Sequence, residues 1–192
     1  MSKISTHKHT VPKHSKKIVG PIFLTSKATG FVTAEGFKED IEIPPENLAT
    51  ALHKDEVEIT VGGKSRFGRI QGKVIKIIKR AKGAFVGTIK IDNGKCLLIP
   101  DDRRCYVQIE IPEKFRNMAK DGDKALVKIT RWGNPRMNPL GNVEKVIGRK
   151  GDNTAEMHSI AIEKGFDTSY PEAVMREADE LKKQNSPILH IN

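Results

Sequence analysis

Residues 68–91, GRIQGKVIKIIKRAKGAFVGTIKI, carry Arg69, Lys73, Lys76, Lys79, Arg80, Lys82 and Lys90 and no acidic residue. A run of fixed ammonium and guanidinium groups attracts a polyanion and does no covalent chemistry by itself. Basic residues recur beside aromatics further on. Phe85 lies inside the first run, Arg103 and Arg104 precede Tyr106, and Lys124 and Lys128 lead to Arg131 and Trp132. Cations that hold phosphates and rings that stack on bases are the composition of a nucleic-acid groove.

The groups that could cut bonds are sparser. A metal-dependent hydrolase needs several carboxylates converging on one ion. The tight acidic pairs are Glu39-Asp40, Asp55-Glu56, Asp101-Asp102 and Asp179-Glu180, and Asp101-Asp102 stands in a turn before two arginines, where turn chemistry accounts for it. Cys96 and Cys105 have neither CxxC nor Cys/His spacing, which argues against zinc. His53 and His158 have no partners at catalytic spacing and read as structural, while Ser159 and Ser186 lack a nucleophile-elbow context. No glycine pattern of P-loop type occurs. Binding, not catalysis, is the expectation.

Such side chains must be positioned by strands. From residue 17 onward short apolar runs alternate with turns rich in Gly, Asn, Asp and Pro, the pattern of an all-β barrel. The runs predict strands over 18–24, 30–33, 40–43, 57–61, 72–78, 85–91, 96–99, 125–130 and 142–147, with a short helix over 45–52. Residues 68–91 read as strand, turn and strand. A weak repeat divides the pattern: DEVEITV leads through a loop to GKVIKII, as DKALVKIT leads to GNVEKVI. Tandem small barrels explain this economically. Beyond Gly148, NTAEMHSIAIEKG and YPEAVMREADELKKQ space their apolar residues three and four apart, which predicts helices.

Charge sharpens the division. The net charge of +10 and pI near 9.6 favour nucleic acid first and an anionic membrane surface second. Residues 1–17 hold five basic and no acidic residues, 18–67 five against eight, 68–149 nineteen against eight, and 150–192 five against eight. The excess thus falls in the tail, expected as a disordered basic end or a phosphate-contacting arm, and in the second barrel. Hydrophobic content of 37% with 30% charged residues fits a folded chain. No apolar run approaches the roughly 18 residues of a membrane span, and the start has no secretory character. A cytoplasmic location follows from these, and the two thiols read as inert.

In the first barrel, TGFVTA puts Thr29, Phe31 and Thr33 on one strand face, and DIEIPP turns Glu42 away from Ile41 and Ile43. Phe31 reads either as a stacking platform or as barrel packing. In the second barrel Lys73, Lys76, Lys79 and Arg80 are expected on or near the first strand, with Lys124 and Lys128 facing outward.

The order GPI…TGFV…DIEIP…ALHKD…GRIQGKV…IPDD…IEIP…DGDKALVKIT…PLGNVEKVIG resembles the N-terminal half of bacterial ribonuclease R and its ribonuclease II relatives. GD…EMHSIAIEKG…YPEAV…EADEL resembles the helical lead-in to their catalytic domain, so the likeness runs from about residue 18 to 181. It implies a mainly β chain of two tandem OB-fold (cold-shock-like) five-stranded barrels, 18–67 and 68–149. A basic tail, 1–17, would precede them, and a helical segment, 150–192, resembling the start of the RNB catalytic domain, would follow.

In that family the barrels guide single-stranded RNA to a 3′-5′ exoribonuclease centre where aspartates hold Mg²⁺. That aspartate motif has no counterpart here, and the chain stops where the catalytic domain would begin. The resemblance therefore implies RNA binding without a cofactor or catalytic residue of its own, inactivity alone, a monomer, and the ribosome or RNA-decay proteins as further partners. Three positions depart from the family. Thr29 and Phe31 stand where two aromatics are common, Glu42 replaces an aromatic, and Lys54-Asp55 replaces a Gly-Asp turn. A stand-alone RNA chaperone, a translation-associated OB protein and a protein-interaction module remain the competing readings.

Overall fold

The structure, a computed structural model, describes residues 17–165. Alternation sets the first strands: in β1 (Lys17–Leu24) Ile18, Ile22 and Leu24 turn inward, and β2 (Gly30–Val32) and β3 (Ile41–Ile43) each put two residues into the core. A short 3-10 turn, Pro45–Asn47, with Pro in its first turn, leads to β4 (Glu56–Lys64) and β5 (Ile70–Lys79). These five strands close a barrel in the order β1-β2-β3-β5-β4, antiparallel except where β3 runs parallel to β5.

The same arrangement is then built again. Strands β6 (Ala84–Asp92), β7 (Lys95–Pro100), β8 (Ile109–Glu110), β9 (Asp123–Arg131) and β10 (Leu140–Arg149) form a second closed barrel, with β8 parallel to β10. A second 3-10 turn, Glu113–Phe115, sits between its third and fourth strands, as in the first barrel. The two copies share local chemistry. Asp55 accepts the Leu52 backbone N–H at 2.8 Å, and Asp123 accepts that of Lys120 at 2.8 Å. Gly72 and Gly141 occupy matching places on the fifth strand, where a Cβ would meet Ile43 at 2.8 Å or Ile109 at 2.6 Å. Lys54 takes φ +69 where the second copy has Gly122 at φ +81, so a side chain occupies the left-handed turn that glycine fills in the second copy.

The β5 assignment corrects the expected division at 67/68. GKVIKII closes the first barrel against β4 and β3, and the boundary falls at residues 80–83. Residues 68–91 are therefore not a hairpin: β5 and β6 belong to different barrels. The first barrel, 17–79, then carries ten basic against eight acidic residues and the second, 84–149, thirteen against eight. The positive excess is shared between them.

After β10 the chain turns into α1 (Asn153–Glu163), whose Asp152 N-cap accepts the Ala155 N–H at 2.9 Å. The other expected helix and the basic tail up to residue 16 lie outside the described residues. No helix among the described residues is long and apolar enough to cross a membrane.

One core holds Ile22, Val32, Ile41, Ile43, Leu48, Val57 and Ile59, and the other Ile89, Leu98, Ile109, Ile111, Ala125 and Val127. Leu52, from the first barrel, is buried among the residues of the second core, and Tyr106 packs against both.

Candidate nucleic-acid interface

Cross-strand register lays out the outer face of the first barrel. Phe23 stands opposite Phe31, Phe31 opposite Glu42, and Glu42 beside Gln71, so one row crosses β1, β2, β3 and β5. Phe23 is 43% exposed and Phe31 half-buried, so a second aromatic joins the one expected. Glu42 accepts a hydrogen bond from the Gln71 side-chain amide at 3.2 Å. Beside this row, Phe31, Lys38, Phe67 and Arg69 line an open cleft of about 590 Å³, together with Glu39 and Asp40. Phe67, in the loop after β4, is 80% exposed, with the Arg66 guanidinium 5.0 Å from its ring centroid. In OB folds the second and third strands and the loops around them form the oligonucleotide face. Here that face holds three accessible rings rimmed by Lys38, Arg66 and Arg69.

Phe23, Phe67 and Lys38 were not singled out from sequence. The signal for Phe67 was present in SRFGR, an aromatic set between arginines in a glycine turn. Phe23 gave none, because its register with Phe31 exists only once β1 pairs with β2.

The expected lysines of β5 lie elsewhere. Lys76 faces Glu58 across the β4–β5 ladder and Lys79 faces Glu56, while Lys73 faces Thr60. Glu58 also holds Lys17 at 2.9 Å. Cross-strand carboxylates therefore offset much of this stripe.

Four expected site residues are committed to the fold. Phe85 is 4% exposed inside the second core, because β6 turns it inward, and Lys82 lies 5.2 Å from its ring centroid. Lys124 is buried instead of outward: its ammonium bonds both Asp101 oxygens at 2.7 and 2.8 Å and pairs with Glu156 of α1 at 3.4 Å. Arg80 pairs at 2.6 Å with Asp55, which is fully buried, and also donates to the Thr50 carbonyl and hydroxyl oxygens. Tyr106 donates its hydroxyl to the Ala51 carbonyl at 3.1 Å, and burial pushes its pKa up. The Trp132 ring has the Arg80 guanidinium 5.7 Å and the Tyr106 ring 6.2 Å from its centroid.

Arg104 is held by Asp102 and lies 3.0 Å from the His53 ring of the first barrel. Burial raises the Asp102 carboxyl, but the side-chain and backbone hydrogen bonds from Arg104 outweigh it and hold the group below its ordinary value. Burial, then the Arg104 charge, lowers His53. Asp101 and Asp102 are thus drawn to separate cations. Among the described residues no group of three or more His, Cys, Asp or Glu is placed to hold a metal ion.

Of the remaining expected residues, Arg103 is exposed and Lys128 pairs with Glu144 at 3.6 Å. Arg131 and Trp132 line a smaller cleft of about 330 Å³ with Glu110, Met137 and Leu140. The matching outer row of the second barrel, Lys90, Leu97, Glu110 and Leu140, has no aromatic.

Comparison with known proteins agrees with this architecture. Residues 20–77 match the ribonuclease B OB domain family, and residues 98–171 match the cold shock domain family. Ribonuclease R of Aquifex aeolicus is 27% identical over 168 residues, which is 87% of this chain and 23% of that protein. The chain therefore spans about a quarter of that relative's length. Among solved structures, Mycoplasma genitalium RNase R in its apo form superposes with a TM-score of 0.70 at 22% identity, over 85% of this chain and 26% of that one. The same protein in complex with ribose-methylated single-stranded RNA gives the same values. Yeast Ssd1, a pseudonuclease, superposes with a TM-score of 0.65 at 17% identity, over 79% of this chain and 25% of its own. At these identities the superpositions concern the fold. A ribonuclease B OB domain match and a cold shock domain match thus follow one another along the chain, and its two closed barrels are similar in sequence and fold to the corresponding quarter of ribonuclease R.

Proposed function

We propose that this chain binds single-stranded RNA and performs the guiding step of a ribonuclease R-like 3′-5′ exonuclease, with the outer face of the first barrel as a principal contact. The observation that carries the reading is the meeting of Phe31, Phe67, Lys38 and Arg69 in one open cleft beside Phe23. Base–aromatic stacking contributes about 1–3 kcal/mol per base and tolerates any sequence, because every base has a face. Lysine and arginine at the rim add phosphate contacts that weaken with salt. Arg131 and Trp132 beside the second barrel's cleft would extend the track. The resemblance of the fold to a protein solved with single-stranded RNA supports the same class of ligand.

The test is an incubation of the full chain with 5′-labelled single-stranded RNA and Mg²⁺, scoring mobility shift and product length together. A shift without shortening is expected. No shift at low salt would contradict binding, and stepwise shortening from the 3′ end would contradict the assignment of this chain to the guiding step.

A further inference from the structure

The outer row of the first barrel places a carboxylate where a polyanion is to lie. Glu42 sits directly opposite Phe31 on the neighbouring strand, and among the described residues it forms no ion pair. Its hydrogen-bond partner is Gln71, whose amide donates to Oε1 at 3.2 Å across the parallel β3–β5 pairing. A negative charge on this face repels phosphate, so its presence needs a compensating contact. We propose that Glu42, oriented by Gln71, reads the edge of a base stacked on Phe31, and that the base it selects is guanine. The inference rests on the reading above that this face binds single strands.

The chemistry follows from donors and acceptors. An ionised carboxylate offers acceptors only, on two oxygens. To satisfy both at once, a base must present two donors side by side. On the Watson–Crick edge guanine does so, with N1–H and the N2 amino group. Adenine and cytosine offer an amino donor next to a ring-nitrogen acceptor, and uracil offers one N–H between two carbonyls. Each of these sets a lone pair against the second carboxylate oxygen.

Geometry permits the contact. Neighbouring strands lie about 4.8 Å apart. The far edge of a base stacked on Phe31 and pointing across the sheet therefore comes over β3. The Gln71 bond and the half-buried setting hold the carboxylate in one orientation, which bidentate recognition requires. The second barrel has Glu110 at the same register position, but between Leu97 and Leu140 and with no ring opposite. Selection is therefore assigned to the first barrel.

The test uses the full chain and fluorescently labelled uridine oligonucleotides of about ten residues with one central guanosine, inosine, adenosine or uridine. Guanosine is expected to bind about tenfold tighter than uridine, within the range for one bidentate pair. Inosine, which keeps N1–H and lacks the amino group, should fall between them. Glu42→Gln keeps the shape and replaces one acceptor by a donor, so the preference should shrink to within twofold while uridine binding stays equal or tightens. Glu46→Gln, a charge removal on the exposed 3-10 turn, should leave the preference intact. Equal binding of all four oligonucleotides, or a preference that survives Glu42→Gln, overturns base selection alone. Absence of binding to every oligonucleotide overturns the single-strand reading and this inference with it. The comparison of guanosine with inosine on the unaltered chain needs no folded variant.

Discussion

Arg80 separates two accounts of the basic stretch. As a phosphate contact it would be dispensable for folding; in the structure it holds a fully buried carboxylate. Removing its side chain by Arg80→Ala leaves Asp55 with two backbone donors, Leu52 at 2.8 Å and Ala81 at 2.9 Å, and no counter-charge. Breaking one partner out of a buried pair costs about 3–5 kcal/mol. The guanidinium side chain is 35% exposed, so water can enter where it stood, and the two remaining donors also hold the cost near the lower end, about 3 kcal/mol. For a chain of this size that lowers the melting temperature by about 6–12 °C. Urea unfolding followed by circular dichroism measures the loss, and an RNA titration across salt tests the other account. A lost phosphate contact would flatten the slope of log K against log salt by about 0.7, whereas the structural role leaves it unchanged. A variant within about 0.5 kcal/mol of the parent, with a flattened slope, would refute the reasoning.

Other outcomes follow from the same contacts. Lys54→Gly removes a side chain from φ +69 and should raise stability by about 0.5–1 kcal/mol in the same urea assay, since relieved strain exceeds the added unfolded-state entropy. Asp152→Ala deletes the α1 cap and should cost the helix about 1 kcal/mol, read as faster amide exchange over 153–163. The Cys105 thiol, raised by burial to about 11, should react with iodoacetamide at pH 8 about a hundredfold more slowly than a free thiol, because so little thiolate is present. His53 has a folded pKa below 6.5, so the unfolded chain binds more protons as pH falls from 7. Its stability contribution, whole above 6.5, is lost as pH drops through the folded value, and His53→Gln should flatten that part of a stability–pH curve.

Strand positions were legible because apolar alternation is strong in Ile18–Ile22–Leu24 or Val57–Ile59, and a closed barrel is the way these short strands bury one face each. β8 escaped because Ile109–Glu110 has two residues and shows no period. The boundary between barrels was also present, in the repeat itself: GKVIKII matches GNVEKVI, a closing strand, yet the basic run that continues into residue 82 drew it toward the second barrel. Residue type announces charge but not partner, so the pairing of Arg80 with Asp55 over 25 residues of chain could not be read off. Lys124 likewise looks outward by alternation, until α1 brings Glu156 over it. Phe67 shows the reverse case, a signal in SRFGR that only the fold set beside Phe31.

The central claim is that single strands lie on the outer face of the first barrel. Fluorescence anisotropy of labelled single-stranded RNA against the chain and its Phe31→Ala/Phe67→Ala/Arg69→Ala variant tests it most directly. Two lost stacking rings and one lost phosphate contact should weaken binding by at least about thirtyfold, near the low end for two bases, and flatten the salt slope by about 0.7. An unchanged Kd, in a variant with the parent's unfolding curve, would contradict the account and move the site off this face.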